Sequence, residues 1–383
     1  MVMQVDANIP YNFQALLDTV ALAQGSILAI LLIVLNKRKY RSTFFLGLFL
    51  LVLSLKLVMY IPISLNLIDV NPSLLLLPFN FFWLLFPLFF IYTQQVSVLS
   101  EQKTKYWVLI PGILSFLFQV IIYFLPYEIK LNIAQSQWYD FTFKYMGIAY
   151  SWIIAIWNLR LLYRHRIVVQ NSFSMVASKA LRWARIFLIY SLATSLISHV
   201  LFYLYPQNYS FKIVYSVFDL VAIYWVSYHG VVQRNVLSLL SRRKSYGIAP
   251  EENSDLQPSL PIDKIALEEL MEKIDRYMVM SECYVQPELT IMDLAEYLKV
   301  HPKRISTAIN TISQQNFNSY VNGHRIKKAK DLLQKNEGSN FSIEGIGIEA
   351  GFYSKSAFYS AFKKETGTTP TKFNAHIEDV LQD

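Results

Sequence analysis

Seven runs of mostly apolar residues, each long enough to cross a lipid bilayer, dominate the first part of the chain. A helix needs about 20 such residues to span roughly 30 Å of hydrocarbon. The runs lie near 14–35, 43–64, 74–93, 106–125, 145–163, 184–205 and 212–232. They predict a seven-helix transmembrane bundle over residues 1–240. Composition agrees, because 54% of the residues are hydrophobic and only 16% are charged.

Positive charge on alternate connections predicts the direction of these helices. The connections after runs one, three, five and seven hold 16 Lys and Arg residues. The amino-terminal tail and the connections after runs two, four and six hold three. Because cytoplasmic loops carry an excess of Lys and Arg, we expect the amino terminus outside and the carboxyl terminus in the cytoplasm of a multi-pass membrane protein.

Ionisable residues inside the apolar runs are costly and often functional, and three of them are candidates. Lys56 in the second run and Asp219 in the seventh lie at matched depth, roughly 19 Å from the inner face. One interpretation is a buried ion pair between them. The alternative is that Lys56 extends outward while Asp219 is protonated or faces a watery cavity. His199 in the sixth run is the third candidate.

Enzyme and cofactor motifs are missing from the sequence. There is no HExxH, no GxSxG and no glycine loop for phosphate. Cys283 is the only cysteine, which excludes an internal disulfide and a multi-cysteine metal site. We therefore predict that the chain is not an enzyme and uses no metal or cofactor.

A change in composition marks the junction with a second part of the chain. Residues 241–261 contain Pro250, Pro258 and Pro261 and are predicted to form a flexible linker. Residues 262–281 have apolar residues at helical spacing and predict an amphipathic connecting helix. This helix either packs on the following domain or forms a short coiled coil with a second copy of the chain. The second alternative would make the protein a homodimer.

Residues 282–383 begin with a predicted helix-turn-helix, in "LTIMDLAEYLKVHPKRISTAINTI". Thr290 is expected to cap the first helix together with Asp293, and Pro302 suits the first position of the second helix. The second helix has a polar and basic outer face, as the major groove of DNA requires. That face carries Lys303, Arg304 and Thr307.

The same design returns in "FSIEGIGIEAGFYSKSAFYSAFKKETG". Ser342 and Ser354 are expected to cap its two helices, Gly351 to form the turn and Gly367 to end the second helix. Phe358 and Phe362 are expected in the core. The opposite face carries Lys355, Ser356 and Tyr359.

A longer helix is predicted between the two motifs, in "FNSYVNGHRIKKAKDLL". From Lys299 to Lys330 there are seven Lys and Arg residues and no Asp or Glu. Such a basic surface is typical of phosphate binding, and the alternative is a merely solvated basic helix. Residues predicted to face phosphates or solvent here are His324, Arg325, Lys327 and Lys328.

Residues 282–375 resemble the DNA-binding domain of the AraC/XylS family of bacterial transcription regulators. The resemblance rests on the stretch "GFYSKSAFYSAFKKETGTTP", which is followed by an aromatic residue at Phe373. Gly347 departs from the pattern, since the family usually has alanine there. The whole chain is similar to membrane-bound AraC-type regulators of Bacteroidetes-like bacteria.

The resemblance implies an all-α domain of two helix-turn-helices joined by a long helix. Their recognition helices would enter successive major-groove segments of double-stranded DNA. Residues implied to contact bases are Lys303, Arg304, Thr307, Lys355, Ser356 and Tyr359. Those implied to hold phosphates are Arg325, Lys327, Lys363 and Lys364.

Together these features predict a one-component transcription regulator in the bacterial inner membrane. An unknown small-molecule or protein signal, sensed in or at the bundle, would control its DNA binding. The alternative is a seven-span receptor or transporter-like protein whose cytoplasmic tail binds a protein partner. Binding of the tail to duplex DNA that weakens steeply with salt would separate the two.

Overall fold

The computed structural model describes residues 12–34, 41–99, 104–176, 179–205, 209–232, 264–335 and 342–375, and within these the protein is helical. The chain divides into two compact units. The first contains Met1–Arg164 and Leu181–Ile248, and the second contains His165–Ala180 and Ala249–Asp383. The predicted linker 241–261 lies outside the described residues.

Eleven helices are described up to residue 232. They are α1 (Phe13–Val34), α2 (Arg41–Leu55), α3 (Tyr60–Ser64), α4 (Leu67–Val70), α5 (Leu85–Val96), α6 (Ile110–Tyr123), α7 (Tyr127–Ala134), α8 (Gln137–Tyr139), α9 (Gly147–Ser172), α10 (Arg182–Leu204) and α11 (Tyr209–Val232). Short 3-10 turns continue some of them, at Lys56–Met59, Pro72–Leu74 and Tyr106–Leu109, and a π-helical stretch, Asp140–Met146, leads into α9.

Five helical segments among the described residues are long and apolar enough to cross a membrane. They are Phe13–Val34, Thr43–Ser64, Tyr106–Tyr123, Arg182–Leu204 and Ser210–Gly230, which correspond to predicted runs one, two, four, six and seven. Many large apolar side chains on them are exposed, such as Ile27 (66%), Leu114 (60%) and Ile189 (54%). Exposed apolar surface on this scale is expected where lipid replaces water as the neighbour.

The third predicted run does not form one membrane-length helix. Residues 75–84 are largely non-helical, and α5 has only 12 residues, or about 18 Å at 1.5 Å per residue. Pro78 favours this break, because the residue before a proline avoids the helical region. The buried Gln119 on α6 satisfies the freed backbone: its Oε1 accepts from Asn80 N at 3.2 Å and its Nε2 donates to Asn80 O at 2.9 Å.

The fifth predicted run is helical but is not apolar along its length. Helix α9 has 26 residues and continues past the predicted end at 163 to Ser172. Arg160, Arg164 and Arg166 lie in its second half. Among the described residues, five helical segments are thus long and apolar enough to cross a membrane, one predicted run is broken and another forms a long helix with a basic end, so the predicted count of seven spans is not confirmed.

The second unit contains six named helices within its described residues. They are α12 (Lys264–Ser281), α13 (Ile291–Leu298), α14 (Pro302–Ile312), α15 (Phe317–Lys335), α16 (Ile343–Glu349) and α17 (Lys355–Thr366). A 3-10 turn, Cys283–Val285, separates α12 from α13, and a further helical stretch covers 370–375.

Helix α15 connects two hydrophobic cores. Its first half contributes Tyr320 and Val321 to a core with α12, α13 and α14. Its second half contributes Ile326, Ala329 and Leu333 to a separate core with α16 and α17. The apolar face of α12 is buried in the first core, so the amphipathic helix packs on the domain that follows it.

The close packing of Gly347 against Phe358 gives a stability prediction. A Cβ added at Gly347 would lie 2.6 Å from Phe358 Cδ1, inside the α16–α17 core. We expect Gly347→Ala to destabilise this core by about 1–3 kcal/mol, because the ring must move. Hydrogen exchange of peptides covering 346–362 in the full chain measures the effect.

The matched control for this prediction is Gly323→Ala. Gly323 lies in α15, and an added Cβ meets nothing within 4 Å. Alanine is the better helix former by roughly 0.5–1 kcal/mol, so this variant should protect the same amides equally well or better. Equal exchange in both variants would contradict the packing argument.

Candidate functional site

The first helix-turn-helix consists of α13 and α14, and the start of α13 is capped as the sequence predicts. Thr290 forms a capping box with Asp293, whose Oδ2 accepts from Thr290 N at 2.7 Å. Lys299 turns the chain in the left-handed conformation (φ 53°). His301 caps α14, because its Nδ1 accepts from Lys303 N at 3.2 Å, a role that sequence reasoning missed.

Helix α14 presents its predicted DNA-facing residues at the surface to different degrees. Lys303 and Arg304 are exposed in its first turn. Thr307 is half-buried, and its Oγ1 donates to Lys303 O at 2.9 Å. The opposite face is closed, since Ile305 and Ile309 are fully buried.

The second helix-turn-helix consists of α16 and α17. The Oγ atoms of Ser342 and Ser354 accept from Gly345 N and Ala357 N, as predicted for caps. Gly351 makes the turn with φ 95°, and a Cβ there would lie 2.6 Å from Val285 O. Both the positive φ and the close backbone require glycine at this position.

Helix α17 carries three predicted base contacts, and one is held by an ion pair. Lys355 and Ser356 are exposed, and Tyr359 is half-buried with its hydroxyl 3.1 Å from Thr371 Oγ1. Lys355 Nζ donates to Glu344 Oε1 on α16, and this hydrogen bond raises the pKa of Lys355. A carboxylate therefore stands beside the predicted DNA-reading face.

Three of the four predicted phosphate contacts are at the surface. Lys327, Lys363 and Lys364 are exposed, and Lys364 Nζ lies 3.3 Å from Ser319 Oγ. Lys328, predicted to be solvent-facing, instead bonds Glu282 Oε2 at 2.7 Å. This hydrogen bond raises the pKa of Lys328.

Arg325 is not at the surface, and the structure corrects its predicted role. The residue is 2% exposed. Its Nε donates to Tyr284 O at 2.6 Å, and its Nη2 donates to Gln286 O at 2.7 Å and to Ser174 Oγ at 3.2 Å. Burial lowers its pKa to about 10. A guanidinium enclosed in this way stabilises the backbone that it contacts and cannot reach a phosphate.

A signal for this burial is present in the sequence. Val321, Arg325 and Ala329 are spaced by four residues and share one face of α15. Val321 and Ala329 are both 0% exposed. The helical period thus places Arg325 in the buried stripe, against the general expectation that arginine is exposed.

The first unit contains a cavity of about 90 Å³ that is lined by all three predicted intramembrane residues, Lys56, His199 and Asp219. Lys56 Nζ lies 2.7 Å from Asp219 Oδ1 and 3.2 Å from Tyr215 Oη. His199 Nδ1 lies 2.6 Å from Ser195 O, within its own helix. Lys56 and Asp219 thus form a close buried pair beside an aromatic and hydroxyl-lined space.

Two carboxylate oxygens near this pair have no hydrogen-bond partner among the described residues. They are Asp219 Oδ2 and Asp18 Oδ2. Asp18 lies on α1 and is 1% exposed. Sequence reasoning missed it, although a lone carboxylate in an apolar run is the signal that pointed to Asp219.

Within the described residues, no group of three or more His, Cys, Asp and Glu side chains could hold a metal ion. Cys283 is buried, and burial raises the pKa of its thiol. A thiol in such surroundings is poorly reactive, because the thiolate is the reactive form.

Comparisons with known proteins define the class of the second unit. Residues 294–376 match a family described as a helix-turn-helix domain, and this range includes nearly all of α13 to α17. The match identifies a helix-turn-helix domain in the second unit, and together with the relatives below it supports a DNA-binding transcription regulator.

Two proteins from Escherichia coli K12 are similar to part of the chain. The melibiose operon regulatory protein is 33% identical over 85 residues, which are 22% of this chain and 27% of the relative. The uncharacterized HTH-type transcriptional regulator YpdC is 26% identical over 148 residues, 39% of this chain and 47% of the relative. The chain thus matches less than half the length of each. No solved structure matches the chain significantly.

Proposed function

We propose that the protein is a membrane-embedded, one-component transcription regulator that reads double-stranded DNA with two helix-turn-helices. One observation carries the proposal. Two capped recognition helices with exposed basic residues occur in the same chain as five helices of membrane-spanning length. The first feature suits the major groove and the second suits a bilayer.

Base reading is assigned to the start of each recognition helix. On α14 the residues are Lys303 and Arg304, with Thr307 beside them. On α17 they are Lys355, Ser356 and Tyr359. Lys327, Lys363 and Lys364 hold phosphates, while Arg325 leaves this set because it is buried. Since one chain supplies two recognition helices, a monomer can engage two groove segments, and homodimerisation would add affinity.

The membrane arrangement is proposed with the amino terminus outside and the DNA-binding domain in the cytoplasm. Lys and Arg are concentrated on the alternate connections that this orientation places inside. Residues 165–180, which follow the fifth predicted span, belong to the same unit as the DNA-binding domain, which supports a common side.

The signal is proposed to bind at the cavity of the first unit. Its wall combines the rings of Phe49, Trp152 and Phe187 with the hydroxyls of Ser191 and Thr194. The Lys56–Asp219 pair adds charge at one side, and Asp219 Oδ2 remains able to accept a hydrogen bond. A small amphipathic molecule fits such a wall.

Selection of genomic DNA fragments by the full chain in lipid nanodiscs, at one stated salt concentration, tests the DNA-binding proposal. A shared sequence should be recovered, and its affinity should fall steeply as salt rises. Empty nanodiscs of the same lipid are the background control. Recovery of no sequence, with binding to a protein partner instead, would favour the alternative of a protein-binding tail.

The Lys355–Glu344 ion pair gives a prediction for a gain in affinity. Glu344→Gln removes the carboxylate that holds Lys355 and that would repel DNA. We expect tighter binding to the selected sequence by roughly two- to fivefold, because surface ion pairs are weak. Titration of labelled duplex with the full chain measures this change.

Glu349→Gln is the matched control for this variant. Glu349 is also exposed on α16, so the substitution removes the same charge but does not free Lys355. Its affinity should stay close to that of the parent protein. An equal gain in both variants would mean that net charge, and not release of Lys355, changes the affinity.

A further inference from the structure

A short segment between α9 and α10 pairs with the start of the first helix-turn-helix. Residues 173–176, here named the strap, belong to the second unit. Phe173 and Thr290 form an antiparallel bridge, and Ser174 N donates to Leu289 O at 3.0 Å. Thr290 is the residue that caps α13. The strap therefore reaches the first DNA-binding motif through backbone contacts.

Ser174 is fixed by side chains as well as by backbone. The residue is 3% exposed. Its Oγ donates to Pro287 O at 3.2 Å, and its carbonyl oxygen accepts from Asn318 Nδ2 on α15. A seryl hydroxyl enclosed by donors and acceptors of this kind is a specific contact, because each buried polar group needs a partner.

Arg325 ties the strap to the rest of the domain. Its guanidinium contacts Ser174 Oγ together with the carbonyls of Tyr284 and Gln286. The buried charge thus donates to these two carbonyls, to Pro287 O at 3.5 Å and to the strap hydroxyl. Because an unpaired buried donor on a charged group is costly, docking of the strap and the position of Arg325 stabilise each other.

The other edge of the strap faces the second helix-turn-helix. Met175 and Val176 line a cavity of about 230 Å³ whose other walls include Ala357, Ala361 and Lys364 on α17. The strap therefore lies among the start of the first motif, the joining helix α15 and the flank of the second motif. A segment in this place can hold the two motifs in one relative pose.

We propose that the strap is an internal ligand of the DNA-binding domain and that its docking holds the two helix-turn-helices in the pose that binds DNA. With the strap docked, Lys303, Arg304 and Lys355 are exposed, so docking leaves the reading faces open. The strap follows α9 directly and is separated from α10 by five residues, so the chain joins it to both helices. The DNA part of this inference rests on the proposed function.

A disulfide between the paired residues tests the docking itself. Ser174 N bonds Leu289 O next to the bridge, so Phe173 and Thr290 face each other as a non-hydrogen-bonded pair. Such pairs have Cα atoms about 4.5 Å apart, within the range of a disulfide. Phe173→Cys/Thr290→Cys, with Cys283→Ala, should cross-link nearly completely in the full chain under mild oxidation. Peptide mass spectrometry of the digest identifies the link.

The matched control pairs Phe173→Cys with Lys327→Cys. Lys327 is exposed on α15 and lies two residues, or about 200° around the helix, from Arg325. This pair should give little cross-link. Equal cross-linking in both pairs, or none in either, would overturn the docking. Ser174→Ala/Asn318→Ala, which keeps the native Thr290 cap, should speed hydrogen exchange at 174–176, and unchanged exchange would overturn it too.

DNA affinity of the cross-linked protein tests the pose. The oxidised Phe173→Cys/Thr290→Cys protein should bind the selected sequence at least about fivefold more tightly than the Ser174→Ala/Asn318→Ala protein. Equal or weaker binding by the oxidised protein would overturn the link between docking and DNA. If neither protein binds any sequence, the proposed function fails, while the cross-link still decides the docking.

Discussion

Replacing Arg304 and Lys355 together by alanine is expected to weaken binding to the selected DNA sequence by on the order of 100-fold or more. Each residue lies in the first turns of a different recognition helix, and both are exposed. Loss of one base contact in each groove segment should therefore affect both halves of the site. Neither side chain is in a core, so the fold should persist. Titration of the selected duplex and of a scrambled duplex, at one salt concentration, measures the loss.

Lys327→Ala is the contrasting variant for this experiment. Lys327 is exposed on α15, outside both recognition helices. As a phosphate contact it should lower affinity for selected and scrambled DNA alike and reduce the salt slope by about one. If the Arg304→Ala/Lys355→Ala protein also lost equal affinity for both duplexes, its two residues would be phosphate contacts and the assignment of base reading would be wrong.

The local signals of the second unit were readable from the sequence because caps and turns depend on neighbours in the chain. Thr290 with Asp293, Ser354 and Gly367 occupy the predicted cap positions. Each satisfies backbone groups within a few residues of itself. The two helix-turn-helices and the joining helix could therefore be predicted together with most of their exposed faces.

Features that depend on distant contacts were harder to predict. Arg325 was expected at the surface, but its partners are carbonyls about 40 residues earlier in the chain. The ion pair of Lys355 with Glu344 connects two helices and was not foreseen. The break at 75–84 is stabilised by Gln119, which no local pattern identifies. Long-range pairing is set by the packing of whole helices.

Matched depth of Lys56 and Asp219 was a geometric clue, and it predicts a measurable coupling. Their Nζ and Oδ1 atoms are 2.7 Å apart, and both side chains are about nine-tenths buried. Lys56→Met or Asp219→Leu alone leaves one uncompensated buried charge and should destabilise the first unit by about 3–5 kcal/mol. The double variant should come within about 1 kcal/mol of the parent, because two apolar side chains replace the pair.

Heating of the detergent-solubilised protein, followed by size-exclusion chromatography of the surviving fraction, measures this cycle. Lys212→Met is the matched control, since Lys212 is a half-buried lysine on the same helix as Asp219 and should change stability little. A double variant whose loss of stability equals the sum of the two single losses would show that the two side chains act independently. In the double variant, packing is restored but the charge at the cavity wall is gone. If this variant is stable but its DNA binding no longer responds to the signal, the pair has a role in sensing.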